Sequence, residues 1–278
     1  MSVVGKINLS PISGGESMRL KDRIAIVTGG AQGIGKEYAL RFAREGAHVA
    51  IGDVREEQAR AVAKEIESMG RNALALRLDV SKEEDTEEFA AKVNEHFGRI
   101  DVLVNNAALF YDMDMQDKSL AYFNKVLSVN LTGVWLMTRA VSRYMRRQRS
   151  GKIINQSSSA AYLWNTGWVD TSDPELEPPP FSYSVAKIGV NGLTKYFAGH
   201  LGPWGINVNA ICPGVTMTEA TKTKVPEEMV SMLVMATALR KALQPQDLTG
   251  TAVFLASSDS DLMTGQVLVV DAGMFMLG

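Results

Sequence analysis

From Arg23 onward, short apolar runs alternate with longer stretches in which apolar residues recur every three or four positions. The short runs fit buried strands and the longer stretches fit helices with one apolar face, so the alternation predicts βαβ units around a parallel sheet. Strands are expected at Ile24 to Gly29, His48 to Val54, Ala73 to Val80, Asp101 to Ala107, Lys152 to Ser157, Asn207 to Gly214 and Gln266 to Gly273. Helices are expected over Ile34 to Glu45, Glu56 to Met69 and Lys82 to Phe97, closed by Gly46, Gly70 and Gly98, which can take the left-handed conformation of a helix end. Ser81 with Glu84 three residues on reads as a capping box. Longer helices should cover Leu120 to Arg146 and Tyr183 to Leu201. No Pro/Gly linker splits the chain and the strands run almost to the C-terminus, so residues 20–278 read as one doubly wound α/β domain behind a flexible extension at 1–19.

Two segments break the rhythm. Residues 164–181 (WNTGWVDTSDPELEPPPF) are rich in Pro and polar groups and carry four acids with no Lys or Arg, which predicts an inserted acidic surface loop. Residues 216–240 form a Thr- and Met-bearing helical stretch between the last two strands, placed to cover a substrate. Met229, Met232 and Met235 share one helix face there and are expected to pack into the core, with a substrate-facing share as the alternative.

Composition narrows the partners. The 29 basic and 31 acidic residues give a net charge of -2, which offers no polyanion-binding face and argues against nucleic acid. Cys212 is the only cysteine, so there is no internal disulfide and no CxxC or His/Cys metal cluster. There is no apolar run of membrane-spanning length; the expectation is a cytoplasmic protein with neither a membrane nor a metal partner. His48, His96 and His200 sit at element ends in ordinary sequence and receive no chemistry.

Candidate chemistry begins at Thr28-Gly29-Gly30-Ala31-Gln32-Gly33-Ile34-Gly35, which follows the first strand and opens the first helix. Four glycines in seven residues exceed the needs of a turn and suit close backbone approach to a diphosphate at a helix N-terminus. The spacing is TGxxxGxG and not GxGxxG. Asp53 ends the second strand, where a carboxylate can accept both adenosine ribose hydroxyls and repel a 2′-phosphate; this favours NAD over NADP, with Arg55 close enough to soften the exclusion. Asp53 could also cap the helix at Glu56, and Asp79 could bind an adenine amino group or cap the next helix. Tyr183-Ser184-Val185-Ala186-Lys187 puts a phenol and an ammonium on one helix face, where the cation is expected to lower the phenol pKa toward working range. No GxSxG elbow or placed histidine supports a nucleophilic serine.

Taken together, TGxxxGxG and YxxxK in this order resemble the short-chain dehydrogenase/reductase family over nearly the whole chain, from about Leu20 to Met274. The resemblance implies an α/β fold, a single doubly wound Rossmann-type domain with a mostly parallel seven-stranded sheet. Asn105-Asn106-Ala107-Ala108 is similar to the family's NNAG, with Ala for Gly, and Asn130 in Ser128-Val129-Asn130 corresponds to its active-site asparagine. Asn155-Gln156-Ser157-Ser158 is similar to N-x-S-S and assigns Ser158, with Ser157 and Ser159 as rivals. Ser158 lies 25 residues before Tyr183, more than in relatives; the inserted loop supplies the excess and must bulge outward if the two are to meet. Pro213-Gly214 with Val215, Thr216, Met217 and Thr218 resembles PGxxxT, which contacts the nicotinamide carboxamide.

The implied catalytic residues are Ser158, Tyr183, Lys187 and Asn130; the implied NAD-binding residues are Gly29, Gln32, Gly33, Ile34, Gly35, Asp53, Asp79, Val80, Asn106, Tyr183, Lys187, Pro213, Gly214, Thr216 and Thr218. The implied activity is hydride transfer between NAD(H) and a secondary alcohol or ketone, with oxidation the suggested direction and a homodimer or homotetramer the expected assembly. Tyr162, Leu163, Trp164, Thr216 and Met217 lean toward an apolar or ring-containing substrate over a sugar or polyol. The rivals are a dinucleotide sensor or scaffold without turnover, a nucleotide-sugar epimerase, for which too little chain follows Tyr183, and an enoyl reductase, which should show a wider tyrosine-to-lysine gap.

Overall fold

Alternate side chains of the first strand, β1 (Ile24–Thr28), enter two different cores: Ala25 and Val27 on one face, Ile24 and Ile26 on the other. All five residues are buried, the mark of a strand covered on both sides. The structure, a computed structural model, describes residues 18–110, 117–162 and 181–276. Most of the N-terminal extension, and the inserted loop apart from Phe181, lie outside the described residues.

The other strands are β2 (His48–Asp53), β3 (Ala73–Arg77), β4 (Val102–Asn105), β5 (Gly151–Gln156), β6 (Ile206–Pro213) and β7 (Val267–Val270). They pair in the order β3-β2-β1-β4-β5-β6-β7, and every pairing is parallel. The sheet is thus wholly and not mostly parallel, and its order reverses between β1 and β4. At such a switch point the loops leaving the two strands diverge to opposite faces and open a crevice at the carboxyl ends.

Helices α1 (Gly33–Arg44), α2 (Glu56–Ser68) and the late helix Thr249–Ala256 cover one face, their core built around Tyr38, Phe42, Val62, Ile66 and Val253. The other face is covered by α3 (Glu83–Phe97), the helix Gly133–Gln148 and the helix Ser182–Leu201, through Phe89, Val93, Met137, Val141 and Phe197. Each amphipathic stripe is long enough to lie along the sheet, which stabilises it beyond its own propensity.

Three local expectations differ from what forms. The long helix over Leu120 to Arg146 is interrupted: α4 (Leu120–Leu127) passes into a π-helical turn at Ser128–Thr132 before α5 (Gly133–Gln148). The capping box at Ser81 does not form; Ser81 donates both its N–H and its hydroxyl to Asp79 Oδ1, at 3.1 and 2.6 Å, so the preceding carboxylate outcompetes Glu84. The stretch 216–240 holds two short helices after α6 (Ser182–Leu201): α7 (Glu219–Lys224) and α8 (Glu227–Met235). Contrary to expectation α8 buries no residue, and Met229, Met232 and Met235 are exposed. The last helix, Thr249–Ala256, is α9.

Candidate active site

At the switch point the β1–α1 turn presses against the loop after β4. Gly29 has a positive φ of 65°, and a Cβ there would lie 2.7 Å from Ala107 Cα. A Cβ on Gly35 would lie 2.2 Å from Gly29 O and 2.4 Å from Asn106 Nδ2. Neither position has room for a side chain. Asn106 locks the turn from the other side, donating to Thr28 O and Gly29 O at 3.0 Å each, while Thr28 Oγ1 accepts the N–H groups of Asn106 and Ala107. The Asn106 amide is therefore spent on shaping the glycine turn. Gln32, at the N-cap of α1, makes no side-chain bond to the helix start; its Oε1 accepts from Arg55 Nη1 at 2.6 Å. Gly33, Ile34 and Gly35 form the first turn of the helix, whose amides point toward the cleft.

Gly35→Ala is expected to force the turn open, lowering stability by about 1–3 kcal/mol and weakening dinucleotide binding with it. A thermal melt and an NAD titration check this; unchanged values in both would show that the turn has slack the packing does not suggest.

Asp53 is buried at the end of β2, its Oδ2 accepting from Ala31 N at 3.0 Å and its Oδ1 from Arg55 N at 2.9 Å. These bonds aim the carboxylate across the cleft while leaving each oxygen a further lone pair for a hydroxyl donor. Arg55 itself is the N-cap of α2, so Asp53 supports the helix start from two residues upstream. Asp79, just past β3, is tied into the turn before α3 through Ser81, and Val80 is buried where a Cβ on Gly133 would touch it.

On the other side of the switch point, Ser158 and Tyr183 meet despite the 25-residue separation: the Ser158 side chain lies close enough to the Tyr183 phenol to lower its pKa. Ser158 Oγ also accepts from Ala160 N at 3.2 Å, capping a single 3₁₀ turn at Ser159–Ala161. Ser157 and Ser159 are buried, and Ser157 Oγ faces the Lys187 carbonyl, which leaves Ser158 as the serine at the phenol. Loss of water around the phenol pushes Tyr183 up to about 12, against a smaller lowering by Ser158. The expected lowering by Lys187 is not what forms. Its Nζ is 5.5 Å from the Tyr183 ring centroid and donates to Gln156 O at 2.8 Å, and burial brings the ammonium down to about 8.

Asn130 lies in the π-helical turn, fully buried, with Oδ1 accepting from Leu109 N at 2.7 Å and Nδ2 donating to Leu109 O at 3.3 Å. Its side chain clamps the loop after β4. Across the cleft Pro213 ends β6, and Gly214 is pressed so closely against β7's end that a Cβ would lie 2.8 Å from Asp271 Cα. Thr216 Oγ1 donates to Gly214 O, while Thr218 caps α7 and comes within reach of a Cβ on Gly33. The two banks of the cleft thus approach each other between Gly33 and Thr218.

Sequence reasoning passed over a buried polar layer beneath these groups. Asn105 Nδ2 donates to Asn155 Oδ1 and Thr138 Oγ1, Asn155 Nδ2 donates to Thr194 Oγ1, and Tyr38 OH donates to Gln156 Oε1. The available signal was a run of amide side chains at the ends of otherwise apolar strands, NN beginning on the last residue of β4 and NQ in β5. Cys212 is fully buried in β6 and pushed up to about 12 by desolvation and by Asp271, against the lowering effect of Lys187. Among the described residues no group of three His, Cys, Asp or Glu could hold a metal ion.

The residues therefore suit a dinucleotide on the chain's own geometry: a turn with no room for side chains, a helix start without a side-chain cap, and a held carboxylate at the end of the neighbouring strand. Comparison with known proteins agrees. A family model described as enoyl-(acyl carrier protein) reductase matches residues 29–275. An uncharacterized oxidoreductase of Mycobacterium tuberculosis is 41% identical over 257 residues, 91% of this chain and 98% of the relative. The 3-oxoacyl-[acyl-carrier-protein] reductase FabG of Thermotoga maritima is 35% identical over 257 residues, 92% of this chain and 99% of the relative. Among solved structures, 7α-hydroxysteroid dehydrogenase complexed with NADH and 7-oxo glycochenodeoxycholic acid superposes with a TM-score of 0.83 at 30% identity over 94% of this chain and 97% of that one. With the glycine turn, the tyrosine beside the serine and the lysine one helical turn further on, the chain belongs to the short-chain dehydrogenase/reductase family of oxidoreductases.

Proposed function

We propose that the protein interconverts a secondary alcohol and a ketone with NAD(H), using Ser158, Tyr183 and Lys187. The observation that carries this reading is the placing of Ser158 beside the Tyr183 phenol at the switch-point crevice, with the Lys187 ammonium 5.5 Å from the tyrosine ring centroid. Bound NAD supplies the hydride acceptor, or NADH the donor. Ser158 hydrogen-bonds the substrate oxygen and fixes it beside the Tyr183 phenol. Tyr183 gives its proton to the ketone oxygen in reduction and takes it from the alcohol in oxidation. At neutral pH a phenol pushed up to about 12 is protonated, so the form that reduces a ketone is already in place, and oxidation has to begin by deprotonating it. Lys187 holds positive charge close to the ring and is positioned to bind the nicotinamide ribose. With its side chain committed to Leu109, Asn130 contributes any link from Lys187 to solvent through its backbone, in a π turn that leaves carbonyls out of the α-helical ladder.

The four-residue spacing of Tyr183 and Lys187 favours this chemistry over the enoyl reduction in the matching model's description. The experiment is NADH formation from NAD+ with a panel of secondary alcohols, with cofactor binding measured in parallel. Turnover supports the proposal; tight binding without turnover on a broad panel points to a sensor.

Asp53 supports NAD as the cofactor, and the NADH bound by the similar hydroxysteroid dehydrogenase is consistent with it. Asp53→Ala is expected to shift the NADP-to-NAD ratio of kcat/KM toward NADP by about tenfold or more, since it removes a carboxylate facing the 2′-phosphate position. A wild type that already prefers NADP would show that Arg55 governs the choice.

We also place the protein in the cytoplasm as a homodimer or homotetramer. Among the described residues no helix is long and apolar enough to cross a membrane. Val185, Ile188 and Tyr196 form an exposed apolar strip on α6 that suits self-association.

A further inference from the structure

We propose that Phe275, near the C-terminus, determines substrate specificity: with Tyr162 it forms an aromatic wall that selects alcohols and ketones carrying a ring. The proposal rests on the hydride-transfer reading above and names the substrate class of that same site.

Tyr162 is tied to the catalytic groups from two directions. It follows Ser158 by one 3₁₀ turn. Its hydroxyl accepts from Asn191 Nδ2 at 3.4 Å, and Asn191 continues the Tyr183–Lys187 face of α6 at the next i+4 position. The Phe275 ring packs against Tyr162 with centroids 6.0 Å apart at 47°. Phe110 packs against Tyr183 itself, with centroids 5.6 Å apart.

The C-terminal segment that presents Phe275 is held by specific bonds. The buried Asp271 carboxylate accepts three backbone N–H groups, from Gly273 at 2.9 Å, Met274 at 3.1 Å and Phe275 at 2.7 Å. Ala238 N and Leu239 N, just beyond α8, donate to Gly273 O and Ala272 O. Gly214 N donates to Val270 O, joining the segment to the Pro213-Gly214 turn. One buried carboxylate thus sets the position of Phe275 relative to both the cofactor turn and the serine segment.

Two aromatic pairs, one on the catalytic tyrosine and one beside the serine, offer flat apolar surface to whatever Ser158 holds. A ring can meet them in stacked or edge-on contact, whereas a short aliphatic group leaves most of that surface uncovered. Since neither Tyr162 nor Phe275 needs to be ordered on binding, the preference is preorganised.

The test compares Phe275→Ala and Phe275→Leu with wild type. Dissociation constants for acetophenone and 2-butanone are measured by saturation-transfer NMR in the presence of NAD+, which cannot reduce them, and kcat/KM is measured for 1-phenylethanol and 2-butanol. Wild type should favour the phenyl compounds. Both variants should lose about tenfold or more of that preference, through KM and not kcat, with NAD+ affinity unchanged. Phe275→Leu keeps apolar volume, so a fall in it reads the ring and not a collapsed tail. Equal losses for both substrates, or a wild type without ring preference in binding, would overturn the proposal. Ring-selective binding without turnover of either alcohol would overturn the hydride-transfer reading instead, and the wall would still be decided by whether Phe275→Ala abolishes the selectivity.

Discussion

Tyr183→Phe should leave NAD affinity nearly intact and lower turnover by about 10²- to 10⁴-fold, the usual contribution of a general acid or base. The substitution removes one hydroxyl and keeps the ring that packs on Phe110, so the fold and the cofactor cleft stay as they are. Steady-state kinetics with a parallel NAD titration separates the two effects. Activity within a few-fold of wild type would remove Tyr183 from the chemistry and leave its approach to Ser158 a structural contact.

Lys187→Met is expected to do something a structural residue would not: to abolish most activity and weaken NAD binding while leaving the protein as stable or more stable. Lys187 is 2% exposed, and burial brings its pKa from 10.5 down to about 8. The folded chain therefore binds this proton less tightly than the unfolded chain does. The resulting cost is fully present below pH 8, is relieved as pH rises from 8 to 10.5, and amounts to about 3 kcal/mol. Methionine fills the same space without the charge. Thermal melts between pH 7 and 10 should show wild type gaining stability relative to Lys187→Met as pH rises. A variant that melts well below wild type at pH 7 would show that the Gln156 carbonyl bond outweighs the burial cost.

The strands and the glycine turn were legible because each rests on a local cause. A strand buried on both faces is a continuous apolar run, and the clash that a side chain at Gly29 or Gly35 would make leaves only glycine possible there. Asp53, Ser158, Tyr183 and Lys187 were visible as residue types at the right distances in the chain. What they do to one another was not. The acidity of Tyr183 is set by water removed from around it, and the Lys187 ammonium is directed to Gln156 O by the course of β5, neither of which is written in a YxxxK spacing. The α8 methionines show the same limit. Helical spacing reveals that Met229, Met232 and Met235 share a face, but whether anything packs on that face is a tertiary fact, and within the described residues the face is open. Asn130 and Asn106 were singled out through a family likeness, yet their side chains hold backbone loops in place, a role that only the fold reveals.

The most direct test of Tyr183 as the proton-transferring group is the pH profile of alcohol oxidation, taken with the best substrate of the panel in wild type and in Tyr183→Phe. Because Tyr183 is held in its protonated form, wild-type kcat/KM for oxidation should climb by about tenfold per pH unit on the acid side as the phenolate fraction grows, while the residual rate of Tyr183→Phe stays flat. Profiles of the same shape in both proteins would contradict the assignment.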